Sequence, residues 1–151
     1  IAETSGIIAG LSKKMQPILR FLFPGLPQGH IANEYIATNM IANMFGLGWA
    51  ATPAGLKAME ALQELNLERC KKSQTSKYCG PNIATDEMCT FLIVNISSLQ
   101  LIPVNIIAYR GQYGSVNPSA IVGPALLATC CSTLAAIVFC KVKDVLVKHR
   151  I

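Results

Sequence analysis

The side chains best equipped for chemistry are neutral hydrogen-bonding groups set in apolar sequence: Asn39, Asn43 and Thr52 in one stretch, Asn95, Ser97, Ser98 and Gln100 in another. Such groups donate and accept hydrogen bonds without the cost of burying a charge, which suits recognition of a polar solute or a neighbouring helix. Lys57 follows the first stretch, where it can add a charge, pair with Glu60 or extend toward a membrane interface. Motifs for bond-making are missing: there is no nucleophile elbow, phosphate-binding glycine loop, HExxH or carboxylate cluster, and Glu60 and Glu64 share one helical face as a solvated edge. An enzyme is therefore not expected. Cys70, Cys79 and Cys89 lack CxxC spacing and a nearby histidine, Cys130, Cys131 and Cys140 sit in an apolar run, and His30 and His149 are isolated. Neither a metal site nor a cofactor is expected from that set.

The elements that position these residues are apolar and long. Of 151 residues 52% are hydrophobic and 14% charged, which is apolar for a water-soluble domain. No Asp, Glu, Lys or Arg occurs between Glu34 and Lys57, between Glu87 and Arg110, or between Arg110 and Lys141. A helix needs about 20 residues to cross a hydrocarbon core about 30 Å thick, and each interval supplies them. Ile121–Cys140 is the best simple span. Met88–Tyr109 carries Asn95, Ser97, Ser98, Gln100 and Pro103 and would face other helices or a wet cavity. A soluble all-helical core is the alternative, because a buried bundle helix can be equally free of charge.

Two of these intervals are interrupted. Gly46 and Gly48 weaken helix continuity, and Thr52-Pro53 writes a new helix start, a hydroxyl cap followed by proline at the first helical position. Two half-helices joined by a glycine break are expected there. Non-helical backbone at membrane depth is tolerated only where protein buries it or it lines a cavity, so such breaks mark transport or binding sites, although kinked packing helices use the same residues. Asn95, Pro103 and Ala108 echo Asn43, Pro53 and Ala58, consistent with a structural repeat. The fold class expected is all-α, a helical integral membrane protein with broken or re-entrant helices.

Around these elements, Ile1–Leu22 has the periodicity of an amphipathic helix, Pro24, Gly25 and Pro27 force a turn, and Leu65–Thr85 reads as a solvated loop. A turn over Arg110–Pro118 precedes the last span, and Lys141–Ile151 is a charged helical extension. The net charge of +5 is dispersed without a nucleic-acid-binding signature, and no nucleic-acid partner is expected. Arg69, Lys71, Lys72 and Lys77 form one basic cluster and Lys141, Lys143, Lys148 and Arg150 another. With two full crossings between them, both lie on one side, which the positive-inside tendency makes cytoplasmic.

The run Asn39-x-x-Ala42-Asn43-Met-x-Gly46-Leu47-Gly48-x-Ala50-Ala51-Thr52-Pro53-x-Gly55-Leu56-Lys57-Ala58-Met59-Glu60 resembles the spore maturation protein A group of the nucleoside-recognition (Gate-domain) family. Met88 to Pro103, Ile121-Val122-Gly123-Pro124 and Leu127-Ala128-Thr129 extend the resemblance over most of the chain. It implies one Gate-type domain over residues 1–151, without the hydrophobic sequence that precedes this region in the family. The loop Cys70–Asn82 is longer than usual, and Trp49 stands where a smaller polar residue is expected. The resemblance further implies an integral protein of the cell membrane in endospore-forming bacteria, acting with a partner resembling spore maturation protein B while the spore core is dehydrated. The wider family includes solute and ion transporters, which makes a path for a small polar solute or ion the first functional expectation. Asn39, Asn43, Gly46, Gly48, Thr52, Pro53, Lys57, Asn95, Ser97, Ser98 and Gln100 are its candidate residues. The competing expectation is a non-transporting assembly protein whose polar intramembrane residues bind a partner subunit.

Overall fold

A computed structural model of the chain describes residues 7–72, 83–97 and 100–148. Among the described residues six α-helices carry the fold: α1 (Ile7–Leu22), α2 (Ile31–Met44), α3 (Gly48–Lys72), α4 (Asp86–Ser97), α5 (Val104–Gln112) and α6 (Val122–Lys148). A single 3₁₀ turn over Pro118–Ile121 leads into α6, and no strand occurs among the described residues. The all-α expectation holds.

The core forms where small residues let helices approach. Ala54, Ala58 and Ala61 recur at helical spacing on α3 and are buried, as are Ala32, Ile36, Ala37 and Ile41 on α2. These two faces close on each other, and Leu62 and Leu65 extend the contact along α3. Leu19 and Leu22 from α1, Phe23 just after it, and Met88, Phe91 and Val94 from α4 complete the cluster, with Ile137 of α6 packed at its edge. Burying one such Leu, Ile or Phe side chain stabilises the fold by roughly 1.5–3 kcal/mol.

Both expected interruptions are present. Gly46 ends α2 with φ +69°, the left-handed conformation that glycine adopts without a Cβ penalty. The Gly46 amide donates to the Asn43 carbonyl (2.9 Å) and the Leu47 amide to the Ala42 carbonyl (2.8 Å), the paired bonds of a Schellman cap. The next helix starts at once, because the amides of Ala50 and Ala51 both reach the Leu47 carbonyl at 3.0 Å. This corrects the expected start at Thr52-Pro53. Pro53 lies inside α3, and the Thr52 hydroxyl donates back to the Gly48 carbonyl at 3.0 Å instead of capping. The amide that Pro53 lacks would have served the Trp49 carbonyl, and Trp49 stands 96% exposed, so solvent can satisfy that group. In the second interruption Pro103 is the residue before the first turn of α5. The two segments share a helix–break–helix plan, but their prolines occupy different positions.

Two further expectations change. Leu65–Lys72, expected to be loop, is the end of α3, held by burial of Leu65 and Asn66. The first helix runs from Ile7 with Pro17 inside it, and its expected residues 1–6 lie outside the described residues. Among the described residues, one helix is long and apolar enough to cross a membrane: Pro118–Lys143, with a mean hydropathy of 2.0 and no buried residue in its most apolar stretch.

Candidate functional site

The site is built where the two interruptions meet. The Leu101 amide, just before α5, donates to the Met44 carbonyl at the end of α2 (2.8 Å). A Cβ on Gly46 would lie 2.6 Å from the Ile102 carbonyl oxygen, so glycine is required there by contact as well as by conformation. Directly beneath this junction three asparagines join. The Asn43 side-chain amide donates to the Asn95 carbonyl oxygen at 2.6 Å and to that of Asn39 at 3.3 Å, and Asn39 in turn donates to the Ala51 backbone carbonyl at 2.8 Å. One chain of hydrogen bonds thus ties α2, α3 and α4 together through residues that are far apart in sequence.

Burial makes this chain matter energetically. Asn39 is 1% exposed, and an amide taken from water without partners costs roughly 1–3 kcal/mol in protein contexts. Gly55 explains how α3 comes so close. A Cβ there would sit 2.9 Å from Asn39 Nδ2 and 3.9 Å from Asn95 Nδ2.

Two cavities flank the asparagines. One, about 250 Å³, is lined by Asn39, Asn43, Gly48, Ala51, Thr52, Leu92, Asn95 and Ile96. The other, about 240 Å³, is walled by Met15, Ile18, Leu22, Met40, Met44, Val94 and Ile137, with Asn43, Asn95 and Thr133 as its polar residues. Only Asn43 and Asn95 face both. Thr133 lies roughly ten residues, or about 15 Å at the helical rise, from Lys143, within the apolar stretch of α6.

Of the expected site residues, Asn39, Asn43, Gly48, Thr52 and Asn95 are brought together around the polar cavity, and Gly46 forms the junction above it. Pro53, Ser97 and Gln100 line neither cavity; the Ser97 hydroxyl donates to the Val94 carbonyl at 2.7 Å. Lys57 is turned away, with its ammonium 5.7 Å from the centre of the Tyr35 ring. Ser98 lies outside the described residues. Gly55, Ala51 and Thr133 were missed. A glycine inside a helix with no turn to explain it was the available signal for the first; Ala51 and Thr133 gave none.

Two ion pairs lie together at the start of α4. Asp86 and Glu87, neighbours at the start of α4, take Lys143 (2.5 Å) and Arg69 (2.8 Å) respectively. Arg69 of one basic cluster and Lys143 of the other therefore meet at the start of α4. Burial pushes the Glu87 carboxyl up, but the hydrogen bond and charge of Arg69, its own backbone amide and the Thr85 hydroxyl outweigh this and hold it below the usual carboxylate value of 4.5. Arg69 also donates to the Gly25 carbonyl, and Lys141 to that of Phe21, fixing the α1–α2 turn to this end. His30, isolated in the sequence, caps α2: its ring nitrogen accepts from the Ala32 amide at 3.2 Å. Cys70 is disulfide-bonded, which its spacing did not announce.

With this geometry established, similarity to known proteins becomes informative. The chain is similar to spore maturation protein A. The relative is that of Bacillus subtilis (strain 168), 44% identical over 138 residues, which are 91% of this chain and 64% of the relative. The chain thus spans a little under two thirds of spore maturation protein A. No family model matches the chain. No solved structure matches it either.

Proposed function

We propose that the chain acts in spore maturation as part of an integral membrane subunit that holds and passes a small polar solute or ion at the asparagine cluster. The observation that carries this is the meeting of two interrupted helices through the 2.6 Å Asn43–Asn95 hydrogen bond beside a polar cavity of about 250 Å³. Paired broken segments with their breaks near the membrane midplane are the arrangement transporters use to recognise solutes. The name of the relative, spore maturation protein A, supports the process. In this proposal α6 crosses the cell membrane of an endospore-forming bacterium, and the exposed faces of Leu127, Leu134 and Val138 meet lipid. A partner membrane protein resembling spore maturation protein B completes the assembly. The role is non-catalytic.

Dry assembly is the rival function, since exposed apolar faces on α5 and α6 suit a partner helix as well as lipid. Labelling by a membrane-impermeant thiol reagent separates the two. Single cysteines at Asn43, Thr52 and Leu127 are placed in the intact protein in vesicles, with its partner present and the free cysteines replaced by alanine. Labelling at Asn43 and Thr52 but not at Leu127 supports a wet path; protection at all three overturns it.

A further inference from the structure

The two cavities differ in chemistry, and their difference defines a class of solute. We infer that the site takes a small amphiphile: a neutral hydrogen-bonding head in the polar cavity and an apolar body of about eight non-hydrogen atoms in the methionine-lined one. This deepens the solute-site proposal and rests on it.

Three observations support it. Asn43 and Asn95 line both cavities and their mutual 2.6 Å hydrogen bond stands between them, so a head that takes the place of that bond reaches both spaces at once. On the polar side, Asn39 and Thr52 add an amide and a hydroxyl, a neutral set that can both donate and accept and that carries no charge to balance an ionic head. On the other side, seven apolar side chains from four helices enclose about 240 Å³, which at about 30 Å³ per non-hydrogen atom holds roughly eight.

The hydroxyl of Thr133 sharpens the assignment. Its oxygen is buried without a hydrogen-bond partner, whereas Thr129, one turn earlier on α6, donates to the Leu126 carbonyl at 3.1 Å. Thr133 lines the apolar cavity. Buried polar groups are nearly always paired, and this orphan, in a wall it shares with Asn43 and Asn95, marks a place where the head seated at that pair supplies the missing partner, since an apolar body cannot. An apolar space of this kind otherwise stays dry. Met15, Met40 and Met44 give it a wall that adapts to different apolar bodies, so selection falls on length and polarity more than on shape.

The test is equilibrium dialysis of radiolabelled acetamide and hexanamide against the intact protein in lipid nanodiscs, with empty nanodiscs subtracted. Each added methylene that enters the apolar cavity strengthens binding, and hexanamide should bind at least about tenfold more tightly than acetamide. Ile137→Phe, which fills the apolar cavity, should remove that preference and leave acetamide binding within about twofold. Thr133→Val should weaken binding of both amides, whose shared head would pair with the hydroxyl, while leaving thermal stability unchanged or raised, since it removes an unpaired hydroxyl; a loss of stability would show that Thr133 is paired within the protein and overturn its part. Acetamide bound in an Asn43-dependent way with no gain for hexanamide overturns the amphiphile while the solute site stands. Binding of neither amide overturns both.

Discussion

Gly46→Ala tests the junction between the two interrupted segments. Alanine at φ +69° costs about 1 kcal/mol from the left-handed backbone alone. Its Cβ would also fall 2.6 Å from the Ile102 carbonyl oxygen, which is backbone and cannot swing aside. The two breaks must then separate, and the 2.8 Å bond from the Leu101 amide to the Met44 carbonyl weakens with a further loss of about 1 kcal/mol. The total is about 2 kcal/mol. Two other glycines isolate the contributions. Gly29 has φ +79° but nothing within 4 Å of its Cβ position, so Gly29→Ala should cost the backbone part alone, about 1 kcal/mol. Gly48 has neither constraint, and Gly48→Ala should be neutral or slightly stabilising, by up to about 0.5–1 kcal/mol. Thermal unfolding of each variant in nanodiscs, followed by far-ultraviolet circular dichroism, ranks them. If Gly46→Ala is no worse than Gly29→Ala, the breaks do not touch and the site loses its roof.

A double-mutant cycle on Asn43→Ala and Asn95→Ala should give a coupling of about 1 kcal/mol, read from the same unfolding curves, and each single change should abolish acetamide retention. Gly55→Ala should displace Asn39 from the Ala51 carbonyl, costing about 1–2 kcal/mol and reducing solute retention together, which dialysis and heating measure on one sample. Lys57→Gln should leave retention unchanged, because its ammonium lies by Tyr35 and away from both cavities. Glu87 has a folded pKa below its ordinary 4.5, so its contribution is fully present above that value and is lost as pH falls through the folded one. Glu87→Gln should therefore be less stable at neutral pH, by under about 1 kcal/mol given the part-exposed Arg69, and should lose less stability than the unaltered protein on acidification; pH-dependent melting checks both signs.

The sequence by itself determined what is local. Of the three charge-free intervals the last alone became a long apolar helix, and Gly46 and Pro103 mark the breaks in the other two because backbone conformation and a missing donor act on their own residues. Asn39 and Asn43 were legible as neutral hydrogen-bonding residues of one apolar stretch. The start of α3 was misplaced because Thr-Pro is only a preference, and the Leu47 carbonyl accepted two amides earlier in the chain. The tail of α3 was read as loop because its polar residues hide the buried Leu65 and Asn66. Tertiary structure alone decided that Asn95 would answer Asn43, that α3 would press Gly55 onto Asn39, and that Thr133 would close a cavity with residues of α1, α2 and α4. Those contacts join residues separated by whole helices, and their geometry depends on the crossing of packed elements, which no local propensity encodes.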